Sequence, residues 1–397
     1  MANNIPEPGI EESLLAPALD RHELHTPAFI YDEGRLLRHI ARTRAALGDG
    51  SAKLLFALKA FTVADGLLHI APRVDGFHAS SLFEARLARQ LLGRQGRVHL
   101  TTPGLRPGEF DEICELCDHV SFNSVSQWEA LRTAARGRIG CGLRLNPQRS
   151  FVDDERYDPC RRHSKLGAPL EQVVEIVRDS PERLEGISGL LIHGNCDSTD
   201  FLPLLETVRH VGARLGGWLA QIRWINLGGG YLFREASDLG PLHETLDLLR
   251  SRHGMEVFFE PGASIVREAG YLVSTVLDIF PSEGKRIAVL DTSVNHMPEV
   301  FEYQLHPPIA GDIAGGPHRY LLAGATCLAG DMFGDYAFSE PLHVGSRLVF
   351  ESAGAYSLVK AHMFNGVNLP AVYALSEAGE LVLKKRFLYE DFSARWS

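Results

Sequence analysis

Across residues 53–262 the chain alternates between short, uniformly apolar runs and longer segments whose apolar residues recur at three- and four-residue spacing. The runs lie at 53–59, 74–80, 97–102, 119–124, 140–146, 189–194, 224–230 and 256–262. Runs of this length and character predict strands buried on both faces, as in parallel sheets. Segments 82–92, 127–135, 170–178, 201–215 and 242–252 carry the pattern of amphipathic helices. Strand–helix alternation repeated eight times predicts an α/β fold, a (β/α)8 TIM-type barrel, with an open doubly wound sheet as the alternative. Residues 28–31 read as an earlier strand and 33–47 as a helix, so the barrel domain is expected over 26–265. Beyond Gly262 the texture changes. Short strand-like runs at 271–279, 286–291, 319–323, 347–350 and 381–386 are separated by Gly and Pro without long helices. They predict a C-terminal, mostly antiparallel β domain over 266–397. Residues 1–25, with Pro6, Pro8 and scattered acids, read as an extension that partly joins the β domain.

At 397 residues the chain exceeds what one core ordinarily serves, in keeping with two domains. A net charge of −10 argues against nucleic acid or an anionic membrane as partner. The six cysteines, at 114, 117, 141, 160, 196 and 327, are sparse for this length and point to a reducing compartment. No apolar run approaches the roughly 20 residues that span a bilayer. The polar, acidic N-terminus does not read as a signal peptide. The expectation is a cytoplasmic protein.

Barrels of this type carry their chemistry at the C-terminal ends of the strands. The residues there are Lys59, His78, Ser80, Ser81, Arg144, Asn146, His193, Gly228, Gly229, Gly230 and Glu260. Lys59 ends the apolar run Leu54-Leu-Phe-Ala-Leu58. Read alone, it is a lysine snorkelling from a strand end. Burial would instead lower its pKa and leave a neutral amine able to form a Schiff base. Three adjacent glycines are a plain turn or a loop whose backbone N–H groups close around a phosphate. Glu260 is a capping carboxylate or a functional one, and His193 a core histidine or a flat partner for a ring. Cys327 lies in a loop of small residues, where a thiol packs as a small apolar group or gives up a proton. Cys114 and Cys117 have the spacing of a metal or redox pair but fall in a helical stretch with no second pair nearby, so no metal is expected. A Schiff-base lysine, a glycine loop, a carboxylate and a flat ring together meet the needs of pyridoxal phosphate, whose pyridine nitrogen a carboxylate keeps protonated.

Motifs extend this reading. Phe56-Ala-Leu-Lys-Ala-Phe61, His78-Ala-Ser-Ser-Leu-Phe-Glu84, Gly142-Leu-Arg-Leu-Asn-Pro147, Glu260-Pro-Gly262, Thr326-Cys-Leu-Ala-Gly-Asp331 and Met363-Phe-Asn-Gly-Val-Asn-Leu-Pro370 span most of the chain. Through them the chain resembles the alanine racemase-like, fold-type III pyridoxal-phosphate decarboxylases, and within them the carboxynorspermidine/carboxyspermidine decarboxylases. The resemblance implies a barrel joined to a β domain, a homodimer with shared active sites, and loss of the α-carboxylate from a carboxylated polyamine. It implies that Lys59 anchors pyridoxal 5'-phosphate and that His193 stacks on its ring. Ser80, Gly228, Gly229, Gly230 and Tyr356 would help hold the cofactor, and Glu260 would pair with the pyridine nitrogen. Cys327 and Asp331 would enter from the second subunit, Cys327 for reprotonation. Arg144, Asn146, His296, Glu299, Asp331 and Asn365 would contact substrate. The chain departs from the subfamily pattern at Leu191, at Gly194-Asn-Cys-Asp197 and at Tyr231-Leu232. These departures leave open another diamino acid or specialised-metabolite substrate, or a racemase of the same fold.

Overall fold

The computed structural model describes residues 14–48 and 50–396. Its contacts divide the chain into two compact units. One comprises His39–Lys59 and Leu67–Ser264; the other comprises residues up to Arg38, Ala60–Gly66 and Ile265–Ser397. The first 13 residues of the expected extension lie outside the described ones.

Strand β1, Ala28–Asp32, belongs to the second unit. Eight parallel strands follow: β2 (Lys53–Ala57), β3 (Gly76–Ala79), β4 (Arg97–Thr101), β5 (His119–Phe122), β6 (Gly140–Asn146), β7 (Gly189–Leu191), β8 (Trp224–Asn226) and β9 (Glu256–Phe259). Each pairs with its neighbour in sequence, and β9 pairs with β2, so the sheet closes into a barrel. Apolar runs suit this sheet because both faces are covered. Helices begin where the strand ends supply caps. Ser81 Oγ accepts the Glu84 N–H at 3.2 Å, and Glu84 returns a bond from the Ser80 N–H at 2.6 Å. Ser124 and Gln127 repeat the device after β5.

The barrel interior departs from the usual filling of branched apolar side chains. His78, His99 and His119 are direct register partners across β3, β4 and β5. The His99 and His119 rings lie 4.3 Å apart and pack on Trp224 and Phe258. Glycines make the room. A Cβ at Gly140 would stand 2.5 Å from the His119 ring, and Cβ atoms at Gly142 and Gly189 would stand 2.4 and 1.9 Å from the Trp224 indole.

The second unit is an eight-stranded sheet built on β1, β10 (Gly270–Ser282), β11 (Lys285–Leu290), β12 (His318–Ala323), β13 (Met332–Phe338), β14 (Arg347–Phe350), β15 (Ala371–Leu375) and β16 (Leu381–Lys385). Only the β1–β15 and β11–β12 pairings are parallel. Residues 28–32, which the sequence rhythm groups with the barrel, therefore lie between β10 and β15 instead. The helix Leu15–Arg21 packs Leu15 and Ala18 against Ile30, Tyr271 and Tyr373, so this part of the extension is core of the sheet unit.

Candidate active site

Lys59 follows β2 in a single 3-10 turn, Leu58–Ala60. Its side chain is reachable by water, yet it stands so deep among protein atoms that desolvation lowers its pKa, more than Glu260 and Glu84 raise it. An exposed group in dense surroundings lines a recess rather than an outer surface. The same recess receives side chains from other strand ends. His78 Nε2 approaches Glu260 Oε1 at 3.3 Å, both groups being buried. Burial pushes the Glu260 carboxyl up to about 7, against the pull of Lys59, Asn226 and Arg144. Arg144 is buried near the same carboxylate, and desolvation lowers its pKa. His193 is held well below its usual value by burial and then by Lys59 and Arg144, so its ring is neutral.

The glycine run serves this geometry in an unexpected way. The Gly229 N–H donates to His193 Nδ1 at 3.1 Å, which fixes the ring's orientation. The Gly228 N–H donates to Asn226 Oδ1 at 2.9 Å, and Asn226 Nδ2 donates to Glu260. Two of the three loop N–H groups thus orient side chains, leaving that of Gly230, for which no acceptor stands among the described residues. Side chains are excluded throughout: a Cβ at Gly228, Gly229 or Gly230 would come within 2.4 Å of His193, Glu260 O or Asn195 O respectively. Gly228 and Gly230 also adopt φ of +71° and +83°, where only glycine is unstrained.

Sequence reasoning missed Asn226. The available signal was a polar residue in the otherwise apolar stretch Trp224–Leu227 of a strand buried on both faces, where an amide must find partners. Other predicted residues have different employment. Asn146 spends its amide on its own loop, donating to Leu166 O and accepting the Gln148 N–H. Ser80, half-buried at the end of β3, gives its backbone N–H to Glu84. Cys114 and Cys117 are buried thiols, Cys117 pushed up to about 12 by desolvation, and they pack as small apolar groups.

The second unit holds Cys327, His296, Glu299, Asp331, Tyr356 and Asn365. Cys327 is exposed on its loop, and its backbone N–H donates to Asn365 Oδ1 at 2.8 Å. Asp331 accepts from the Val294 and Thr326 N–H groups at 2.8 and 3.0 Å and from the Thr326 hydroxyl. It therefore pins two loops together and has no face turned outward. His296 is likewise buried, bonded to Thr292 Oγ1, and held down to about 4 by desolvation. Glu299 lies 3.8 Å from Lys360 Nζ. Tyr356 has φ of +59° and donates its N–H to Ala60 O at 3.0 Å.

A desolvated amine, a buried carboxyl, a neutral flat ring and a loop that admits no side chain meet the requirements of pyridoxal phosphate. Residues 28–354 match the family described as pyridoxal-dependent decarboxylase, C-terminal sheet domain. The chain belongs to the pyridoxal-dependent decarboxylase family. The decarboxylase is 36% identical over 378 residues to carboxyaminopropylagmatine decarboxylase of Synechocystis sp., covering 94% of this chain and 95% of that one. It is 32% identical to carboxynorspermidine/carboxyspermidine decarboxylase of Campylobacter jejuni, covering 94% and 99%. A crystal structure of carboxynorspermidine decarboxylase complexed with norspermidine, also from Campylobacter jejuni, matches the decarboxylase with a TM-score of 0.83 at 29% identity, over 94% of this chain and all of that one. Both the barrel and the mostly antiparallel sheet expected from the sequence are present in the decarboxylase, and no helix among the described residues is long and apolar enough to cross a membrane.

Proposed function

We propose that the decarboxylase removes the α-carboxylate of a carboxylated polyamine, carboxynorspermidine- or carboxyspermidine-like, acting in the cytoplasm as a homodimer with shared sites. The grading of likeness carries this reading. Identity is 32–33% over at least 93% of the chain to enzymes named for such substrates, but 23–26% to diaminopimelate decarboxylases. A second reading, a carboxylated agmatine derivative ending in a guanidinium, is favoured by the 36% relative.

Pyridoxal phosphate, when bound, supplies the sink for the electron pair that the departing carboxylate leaves behind. Lys59 Nζ would be its covalent anchor, since desolvation favours the neutral, nucleophilic amine. His193 offers a neutral flat face, and Glu260 a carboxylate for the pyridine nitrogen. Cys327 of the partner subunit would deliver a proton from Sγ to the substrate Cα, its loop held by Asn365.

The test is mass spectrometry of products from carboxynorspermidine, carboxyspermidine, carboxyaminopropylagmatine, meso-diaminopimelate, ornithine, lysine and arginine. Loss of one carbon dioxide from a carboxylated polyamine supports the first reading, and loss only from the agmatine derivative the second. Turnover of meso-diaminopimelate or ornithine alone would overturn both. Lys59→Ala should lose its yellow absorbance on dialysis; a variant that stays yellow would refute the anchor.

A further inference from the structure

The Glu260 carboxylate has two close neighbours on one oxygen, and only Asn226 belongs to an obvious network. Asn226 Oδ1 is committed to the Gly228 N–H, so the amide must present its NH2 to Glu260 Oε1. The other neighbour is His78 Nε2, at 3.3 Å, a buried ring nitrogen that makes no hydrogen bond among the described residues. We propose that His78 is a positioning residue for Glu260, its unpartnered Nε2–H turning onto the carboxylate oxygen it faces so that the carboxyl stays ionised beneath the cofactor's pyridine nitrogen. The inference rests on the assignment of Glu260 to that nitrogen and deepens it.

Three observations carry the argument. A bare ring nitrogen facing a carboxylate would set lone pair against lone pair, so the geometry favours the tautomer with its proton on Nε2. Both groups are buried, His78 at 4% and Glu260 at 7% exposure, where a donor is not replaced by water. The ring also cannot answer by becoming a cation. Desolvation, then Lys59 and Arg144, keep it neutral, so it acts as a dipole and not as a counter-ion.

The surroundings of the pair are defined on every side. Lys59 and Arg144 are the cations facing it, and Asn226 is the second donor. Glu84 acts on Lys59 from the helix after β3. Behind His78 stands its register partner His99, itself neutral, followed by His119 with Arg97 and Asp118 beyond. The row brings no charge next to His78 that could substitute for its donor. Burial drives Glu260 toward its protonated form, and Lys59, the Asn226 donor and Arg144 oppose it; an Nε2–H turned onto Oε1 by His78 would add to that opposition.

The test uses the infrared carbonyl band of the protonated Glu260 carboxyl in the full-length chain, with and without pyridoxal phosphate. The band is assigned by its loss in Glu260→Gln. Without cofactor the wild-type band should titrate with a midpoint of about 7. His78→Phe, which removes the donor, should move the midpoint up by about one pH unit and weaken cofactor binding at neutral pH. His78→Gln places an amide N–H near the old Nε2 position and should restore both. His78→Asn, whose shorter amide falls short of Oε1, should behave like Phe and provides the comparison if the Phe variant does not fold. The proposal is overturned if the midpoint stays where it was, or if Gln shifts it as far as Asn or Phe, since packing alone would then be at work. A chain that turns over no carboxylated polyamine but shows this pattern would sink the substrate reading and leave the role of His78 standing.

Discussion

Asp331 shows what a single buried carboxylate does in the sheet unit. Only 2% of it is exposed, and its two oxygens receive the N–H groups of Val294 and Thr326 together with the Thr326 hydroxyl. The family resemblance carried by Thr326-Cys-Leu-Ala-Gly-Asp331 implied a contact with substrate; the bonds describe a staple between the loop before His296 and the loop bearing Cys327. Asp331→Ala leaves two backbone donors unpaired, each costing about 1–3 kcal/mol. We expect a stability loss of about 3 kcal/mol in urea unfolding, with faster alkylation of Cys327 as its loop loosens. Unchanged stability would return Asp331 to the substrate. Cys327 itself was legible as a thiol in a loop of small residues, either packed or a proton donor, and the structure exposes it. Its hold on Asn365, 38 positions away, was not, because nothing in local spacing encodes a contact between two loops.

At the scale of elements, the eight barrel strands were legible because a parallel strand covered on both faces must be apolar throughout. Strands β13 and β15 were missed for opposite reasons. In β13, Gly334 and Asp335 interrupt an alternating pattern that only Phe333, Tyr336 and Phe338 sustain. In β15, five buried residues follow Pro370 directly and read as a continuation of the preceding motif. Strand β1 was seen but grouped with the barrel, since adjacency in sequence says nothing about which sheet a strand joins. Glycines within elements separate packing from propensity. Gly189→Ala would drive a Cβ to 1.9 Å from Trp224 Cε2, and Gly189 sits on backbone that cannot retreat from its neighbours in register. It should destabilise by about 3 kcal/mol or prevent folding. Gly212, inside the helix Leu202–Leu215, has nothing within 4 Å of a new Cβ. Gly212→Ala should stabilise by about 0.5–1 kcal/mol. Thermal melts of the two variants beside wild type check both signs.

For the whole molecule, the barrel's histidines set the response to acid. His78, His99, His119 and His193 are all held below the ordinary histidine value, chiefly by desolvation. A base with a lowered folded pKa binds fewer protons folded than unfolded. Its contribution is therefore present above the unfolded value of about 6.5 and is lost as pH falls below it. For His119 the loss continues to about 4 and amounts to about 3 kcal/mol. Glu84 and Glu260 are raised and act in the opposite sense, gaining stability as the medium becomes acidic. With His296 added on one side and Glu351 on the other, five histidines against three carboxyls should leave a net decline from pH 6.5 to 4.5, read as a falling urea midpoint. His99→Leu should flatten that slope, and a slope left as steep would remove His99 from the account.

What the sequence determined by itself was the order of strands and helices in the barrel, the closure of those strands, and the identity of the residues at the strand ends. These follow from local rules: apolar period, capping residues and turn glycines act between near neighbours, and a parallel barrel places every strand's C-terminal end on one rim. Lys59, His193 and Glu260 could be named for that reason. What only the tertiary structure decided was how those residues are employed. That Gly228 and Gly229 orient Asn226 and His193, that His78 meets Glu260, and that three histidines stand in register inside the barrel depend on distances between residues far apart in the chain. Desolvation, the largest influence on the pKa of each of these titratable groups, comes from everything packed around a side chain, and it comes into being only when the fold closes.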